Sequence, residues 1–210
     1  VFTWDKLKDY LKEDEENFKS SKDFGKNILP YMLNSGEKMF AYEFNGYWKD
    51  VGTVESLWES NMDLLAPNTQ LDLSDEAWKI YSRAPVMPPH YIAEKSKVQN
   101  SLVAEGCNIY GNVDFTVLFD GAYVAPKAVV RDSIIMPGVK ILEGAIVQYA
   151  IICENAIIGK NAKIGARPED FNDTKNWGIT VVGDNIRIGE GVNVTAKSTI
   201  DEDIPGVERF

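Results

Sequence analysis

Across residues 98–158 one twelve-residue pattern of apolar and polar positions is written four times, as VQNSLVAEGCNI, VDFTVLFDGAYV, VRDSIIMPGVKI and VQYAIICENAII. The copies begin at Val98, Val113, Val130 and Val147, at offsets of 15, 17 and 17 residues. Aliphatic side chains recur every five or six positions, at Val124, Val130, Ile135, Ile141, Ile146, Ile152, Ile158 and Ile164. That spacing is too long for strand alternation and too sparse for a helical stripe. It is the hexapeptide period of a parallel β-helix, in which three short strands and three tight turns make one coil and the inward aliphatics stack from coil to coil. Ala128, Ala145, Ala150, Ala156 and Ala162 each follow an aliphatic by four residues, which places small side chains at crowded corners. The rhythm resumes as Val182, Ile188, Val194 and Ile200. Between the two runs, RPEDFNDTKNWG (167–178) breaks the period and reads as a loop thrown out between coils. The acidic, proline-containing tail from Asp201 ends the solenoid and guards its last edge against pairing.

Upstream the pattern changes. Residues 3–18 predict an amphipathic helix with Thr3 as N-cap and Trp4, Leu7, Leu11 and Phe18 on one face. Asp23 then caps a short helix that Pro30 limits or bends. Residues 39–44 and 47–51, joined by Asn45–Gly46, carry the signal of a β-hairpin with a type I′ turn. Thr53 caps a helix whose apolar face is Val54, Leu57, Trp58, Met62 and Leu65, and which Ala66–Pro67 ends. Residues 67–90 read as a connector finishing in Pro85, Pro88 and Pro89, so the domain boundary falls near residue 85, with units 1–85 and 86–210.

Composition narrows the function classes. A net charge of −10 argues against nucleic acid as a partner, because phosphate contacts need clustered Lys and Arg. No apolar run approaches the roughly 20 residues of a membrane span, and no basic-then-apolar signal opens the chain. Cys107 and Cys153 both fall in slots of the repeat, which reads as structural thiols in a reducing cytoplasm. The single histidine, His90, lies in the connector, so the imidazole pairs of acyltransferases or zinc enzymes cannot come from one subunit of this solenoid. The chain starts without Met and in mid-pattern, and is expected to be a fragment.

The opening VFTW, DFGKNILP (23–30), GYWKDVGT (46–53) and the hexapeptide tail together resemble the bacterial glucose-1-phosphate adenylyltransferases, the ADP-glucose pyrophosphorylases of glycogen synthesis. The resemblance covers essentially the whole chain, in the family's order. It implies a mainly β chain: a left-handed parallel β-helix behind the carboxyl-terminal segment of a doubly wound α/β nucleotidyltransferase domain. The family's glycine-rich loop, GGxGxRL in pattern, does not occur in these residues. Nor do the Glu–Lys pair and the Ser that such enzymes use on glucose 1-phosphate.

The implied chemistry is nucleotidyl transfer between ATP and glucose 1-phosphate with Mg²⁺, charge building on phosphate oxygens. By the resemblance, Asp50 is a metal ligand, and Asp23, Phe24 and Trp48 line the sugar-nucleotide site. Read from the residues alone, Asp50 starts a turn before Gly52, Asp23 is a cap and the two aromatics are packing. The resemblance also implies a cytoplasmic homo-oligomer, or a hetero-oligomer with a paralogous subunit. A non-catalytic regulatory subunit and a pyrophosphorylase for another nucleotide or sugar remain as alternatives, and the 210 residues by themselves are expected to be inactive. Residues 121–168 hold six basic side chains against three acidic ones. Arg131 and Arg167 in that stretch are candidates for a phosphorylated effector, with a solvated face as the other reading. Glu154 stands where many relatives carry a base.

Overall fold

A computed structural model describes residues 1–206 other than 68, 70, 74, 83, 84 and 172–174. Two compact units emerge, residues 1–46 and residues 47–210.

In the first unit, α1 (Trp4–Glu16) begins at Thr3, whose side chain makes no capping bond. The face predicted to be apolar stays open: Trp4 and Phe18 are exposed, and no residue of α1 is buried. A π-helical turn (Phe24–Ile28) follows and runs directly into α2 (Leu29–Asn34). Asp23 caps the turn by accepting from the Lys26 N–H. Pro30 lies in the first turn of α2, where its missing N–H costs least. The wide i→i−5 turn just before it is closed by the Leu29 N–H on the Phe24 carbonyl. Ile28 and Met32 are this unit's buried apolar side chains among the described residues.

The predicted hairpin is not formed. Residues 38–51 hold no strand, and neither Asn45 nor Gly46 has the positive φ that a type I′ turn requires. Instead the Phe44 ring lies against the Gly46 backbone, so close that a Cβ there would sit 2.3 Å from it. Two extended segments with no third strand beside them gain too little to pair in water, whatever their turn residues favour.

The second unit opens with an extended run and then α3 (Val54–Met62), continued by a 3₁₀ turn (Asp63–Leu65). Thr53 caps α3 in a reciprocal box with Ser56. From Tyr91 onward, eighteen strands of two or three residues are described, in three parallel sheets of six. Each sheet contributes one inward column. Ile109, Val124, Ile141, Ile158 and Ile188 stand in register in the first. Val98, Val113, Val130, Val147, Ile164 and Val194 form the second. Leu118, Ile135, Ile152 and Val182 form most of the third. The four repeat starts read from sequence are therefore stacked on one another.

One position of the sequence pattern is displaced. Val147 is buried in the column, whereas Ile146 is its half-buried outer neighbour, paired with Val129 and Lys163. In this sheet the strands are commonly three residues long with the middle one inward, so the aliphatic on either side faces out. The five corner alanines are fully buried, as is Cys107, while Cys153 is half-buried. Gly165 is fixed by geometry: its φ is +74° and an added Cβ would lie 2.0 Å from the Gln148 carbonyl oxygen.

α3 lies on the outer face of the third sheet, where Met62, Val117, Ile134, Ile151 and Ile179 form a second buried cluster with Leu57, Trp58 and Leu65 against it. The Trp58 indole N–H donates to the Asp132 carbonyl at 2.8 Å, and its ring lies 5.8 Å from that of Tyr149. Tyr149 in turn meets Trp177 edge-on at 5.2 Å, and the Trp177 N–H donates to the Ala166 carbonyl. The inserted stretch is thereby held at both its ends, and the solenoid columns continue across it.

Candidate functional site

The residues singled out from sequence fall into three groups. In the first unit, Asp23 spends its carboxylate on the turn it caps: Oδ1 accepts from the Lys26 N–H at 2.8 Å, and Asn27 Oδ1 accepts from the Asp23 N–H at 3.0 Å. Phe24, next in sequence, is exposed, meets Phe2 edge-on at 5.5 Å, and borders a shallow pocket with Leu11, Lys22 and Ile28.

In the second unit the run 47–50 alternates. Tyr47 and Lys49 are half-buried, while Trp48 and Asp50 are exposed. The inward pair reaches α3 and the turn after it. Tyr47 OH donates to Asp63 Oδ2 at 2.9 Å, and Lys49 Nζ donates to the same oxygen at 3.2 Å and to Glu59 Oε2 at 3.0 Å. Those hydrogen bonds to Glu59 and Asp63 raise the Lys49 ammonium above its ordinary value, so it stays charged. Burial, and then Asp63, likewise push the Tyr47 phenol up. On the outward side, Asp50 Oδ1 accepts from the Gly52 N–H at 3.0 Å in a tight turn. The other carboxylate oxygen makes no hydrogen bond among the described residues and is open to solvent. Asp50 thus offers a hard oxygen donor on a fixed turn, which fits Mg²⁺ bound through one or two protein carboxylates plus substrate phosphates. Among the described residues no cluster of three or more His, Cys, Asp or Glu forms a metal cage.

The third group lies on the outer face of the second sheet of the solenoid. Arg131 and Arg167, 36 positions apart in sequence, border one open groove of about 360 Å³ together with Gln148, Lys163, Asp170 and Asn193. Arg167 pairs with Glu169 at 3.7 Å, whereas Arg131 and Lys163 have no ion pair among the described residues. Glu154 is not part of this groove: it sits at another corner, its N–H donating to Asp184. His90, the chain's single histidine, is exposed beside the first strand.

Two parts of this arrangement escaped sequence reasoning. Glu59 on α3 and Asp63 at the start of the 3₁₀ turn are spaced i, i+4, and the alternation at 47–50 turns Tyr47 and Lys49 to one side. Together those two signals would have pointed to the clamp. Gln148 and Asn193 follow from register, because Gln148 pairs with Arg131 and Asn193 with Lys163 on the outside of the coil.

Comparison with known proteins bears on both units. Residues 1–66 match the family described as nucleotidyl transferase, and residues 88–185 the one described as GlmU-like, C-terminal hexapeptide. Glucose-1-phosphate adenylyltransferase of Desulforamulus reducens is 48% identical over 91% of this chain and 48% of its own length. The chain is a homologue of this enzyme over most of its own length. The same-named proteins of Acetivibrio thermocellus (45% identical, 99% of this chain, 50% of the relative) and Bacillus cereus (51%, 80% and 44%) agree. The chain thus spans about half the length of the curated family members it matches. Among the described residues no helix is long and apolar enough to cross a membrane.

Proposed function

We propose that these residues serve a glucose-1-phosphate adenylyltransferase that makes ADP-glucose and pyrophosphate from ATP and glucose 1-phosphate, for glycogen synthesis. A phosphate oxygen of the sugar attacks the α-phosphorus of ATP, the bond to the β-phosphate oxygen breaks, and pyrophosphate leaves with that electron pair. The observation that carries the reading is the run GYWKDVGT: in a chain about half identical to adenylyltransferases, it turns Trp48 and Asp50 outward while Tyr47 and Lys49 anchor it to α3.

In this reading Asp50 holds Mg²⁺, which when bound neutralises charge on the phosphate oxygens. Trp48 supplies an apolar face for the sugar nucleotide. Asp23 orders the turn that presents Phe24 to it. Residues 1–85 belong to the catalytic domain and its connector, and residues 86–210 are the β-helix domain, which serves as scaffold and subunit contact in a homo- or hetero-oligomer. The groove holding Arg131, Lys163 and Arg167 is a seat for a phosphorylated effector, since two of its three cations have no protein partner among the described residues. Two free cysteines suit a reducing, cytoplasmic setting.

The test is Asp50→Asn in the full-length enzyme. It should keep the fold and lower turnover by at least about two orders of magnitude, the scale of losing a transition-state electrostatic contact. Wild-type turnover with Mg²⁺ in that variant would remove the metal assignment.

A further inference from the structure

We infer that Asp63, assisted by Glu59, is a positioning residue for Asp50, acting through Tyr47 and Lys49; the inference rests on the reading of Asp50 as a metal ligand. Residues 47–52 belong to no strand, so no ladder of backbone hydrogen bonds fixes which way their side chains face. What fixes them is the pair of donors on alternate residues. Tyr47 OH and Lys49 Nζ converge on a single oxygen, Asp63 Oδ2, and Lys49 reaches Glu59 as well. In an extended run successive side chains point to opposite sides, so holding residues 47 and 49 against α3 commits residues 48 and 50 to the other side.

The far end of the run is held independently. Gly52 donates its N–H to Asp50 Oδ1, and Thr53 begins α3 in its capping box with Ser56. α3 itself is anchored to the solenoid by the Trp58 bond to the Asp132 carbonyl. Asp50 is therefore carried on a short bracket, fixed before it by Glu59 of α3 and Asp63 of the following 3₁₀ turn, and after it by the start of α3. The carboxylates of Asp63 and Glu59 are engaged by Tyr47 and Lys49. Their effect is to keep the outward carboxylate aimed, and mis-aiming a metal ligand weakens metal binding before it alters anything else.

The experiment compares Asp63→Ala, Lys49→Met and Lys49→Arg with Asp50→Asn in the full-length enzyme, measuring the Mg²⁺ concentration for half-maximal rate. Alongside, the 210-residue chain is labelled with ¹⁵N and its amide shifts recorded. Loss of a charge-assisted contact predicts that Asp63→Ala and Lys49→Met each raise the half-maximal Mg²⁺ concentration about tenfold or more, with Lys49→Arg recovering most of it. The amides of Trp48, Asp50 and Gly52 should shift in the first two variants while those of Ile141 and Ile158 stay put. If Asp63→Ala loses its fold by circular dichroism, the two Lys49 variants carry the comparison. Unchanged Mg²⁺ dependence and unmoved amides, with Asp50→Asn inactive, would overturn the positioning role alone. An active Asp50→Asn enzyme would overturn the reading beneath it.

Discussion

Ile141 lies directly beside Ile158 in the parallel register of the first sheet, and both are fully buried, one coil apart. The outward neighbours in the same two strands, Lys140 and Ile157, pair with each other at the surface. Removing a buried isoleucine down to Cβ leaves a cavity between coils that cannot close without shifting the ladder. Ile141→Ala or Ile158→Ala should therefore cost about 2–5 kcal/mol, and Lys140→Ala less than about 0.5 kcal/mol. Urea unfolding monitored by circular dichroism measures all three. Equal, small effects would show that the column does not carry the stability assigned to it.

Trp58 is the pin that holds α3 against the solenoid. Truncating it to Leu forfeits the indole bond to the Asp132 carbonyl and the ring contact with Tyr149. A loss of about 2 kcal/mol in local docking is expected from one hydrogen bond plus part of an aromatic burial. Amide exchange in the last turn of α3 should then quicken by about 30-fold, the equivalent of that energy, while the amides of Ile141 and Ile158 keep their protection. Loss of protection in both places at once would mean that α3 and the coils unfold as one unit.

Asp132 gives the chain a pH dependence opposite to that of a paired carboxylate. Burial first, and then the charges of Asp114 and Glu169, push its carboxyl up to about 6. An ordinary unfolded aspartate sits near 3.9, so the native state binds this proton more tightly than the unfolded chain does. The contribution is fully present below about pH 4 and is lost as pH rises through about 6. Asp132 is half-exposed, so solvent screening reduces its size. Asp132 has a φ of +47°, a conformation that asparagine also tolerates, which makes Asp132→Asn a clean probe. The stability difference between that variant and the wild type should grow in the variant's favour between pH 4 and pH 7. A flat difference would sever the link between Asp132 and its acidic neighbours.

The solenoid was legible almost residue by residue because each coil contacts only the coils beside it. Local period and three-dimensional register are then the same information, and Val98, Val113, Val130 and Val147 could be stacked from spacing alone. Ile146 was misplaced where two aliphatics stand side by side and the period admits either. Caps were legible for the same local reason, as at Thr53 and Asp23. The hairpin failed because Asn45–Gly46 states only what a turn would prefer, and pairing needs further strand surface that these residues do not meet. The candidate site was legible as a motif and not as geometry. Tyr47 and Asp63 are 16 positions apart and Arg131 and Arg167 are 36 apart, so their convergence depends on helix docking and on the path of the inserted loop.

The 210 residues on their own should not form ADP-glucose. Nucleotidyl transfer needs ATP phosphates wrapped by a run of backbone N–H groups, and no glycine-rich loop of that kind occurs in this sequence. Asp50 presents a single carboxylate, too little to hold Mg²⁺ usefully without a second ligand and substrate phosphates. The first 46 residues and the run to Asp50 also leave Phe40, Tyr42, Phe44 and Trp48 exposed, so they should exchange their amides quickly. The coils, stabilised by their neighbours, should exchange slowly. Pyrophosphate release and hydrogen exchange, measured on residues 1–210 and on residues 86–210, test both statements. Turnover by either polypeptide above background would mean that the phosphate-binding machinery lies within these residues after all. Silence with protection concentrated in the repeats, and activity regained when a separately expressed amino-terminal half of a close relative is added, would assign the missing function to the part that half supplies.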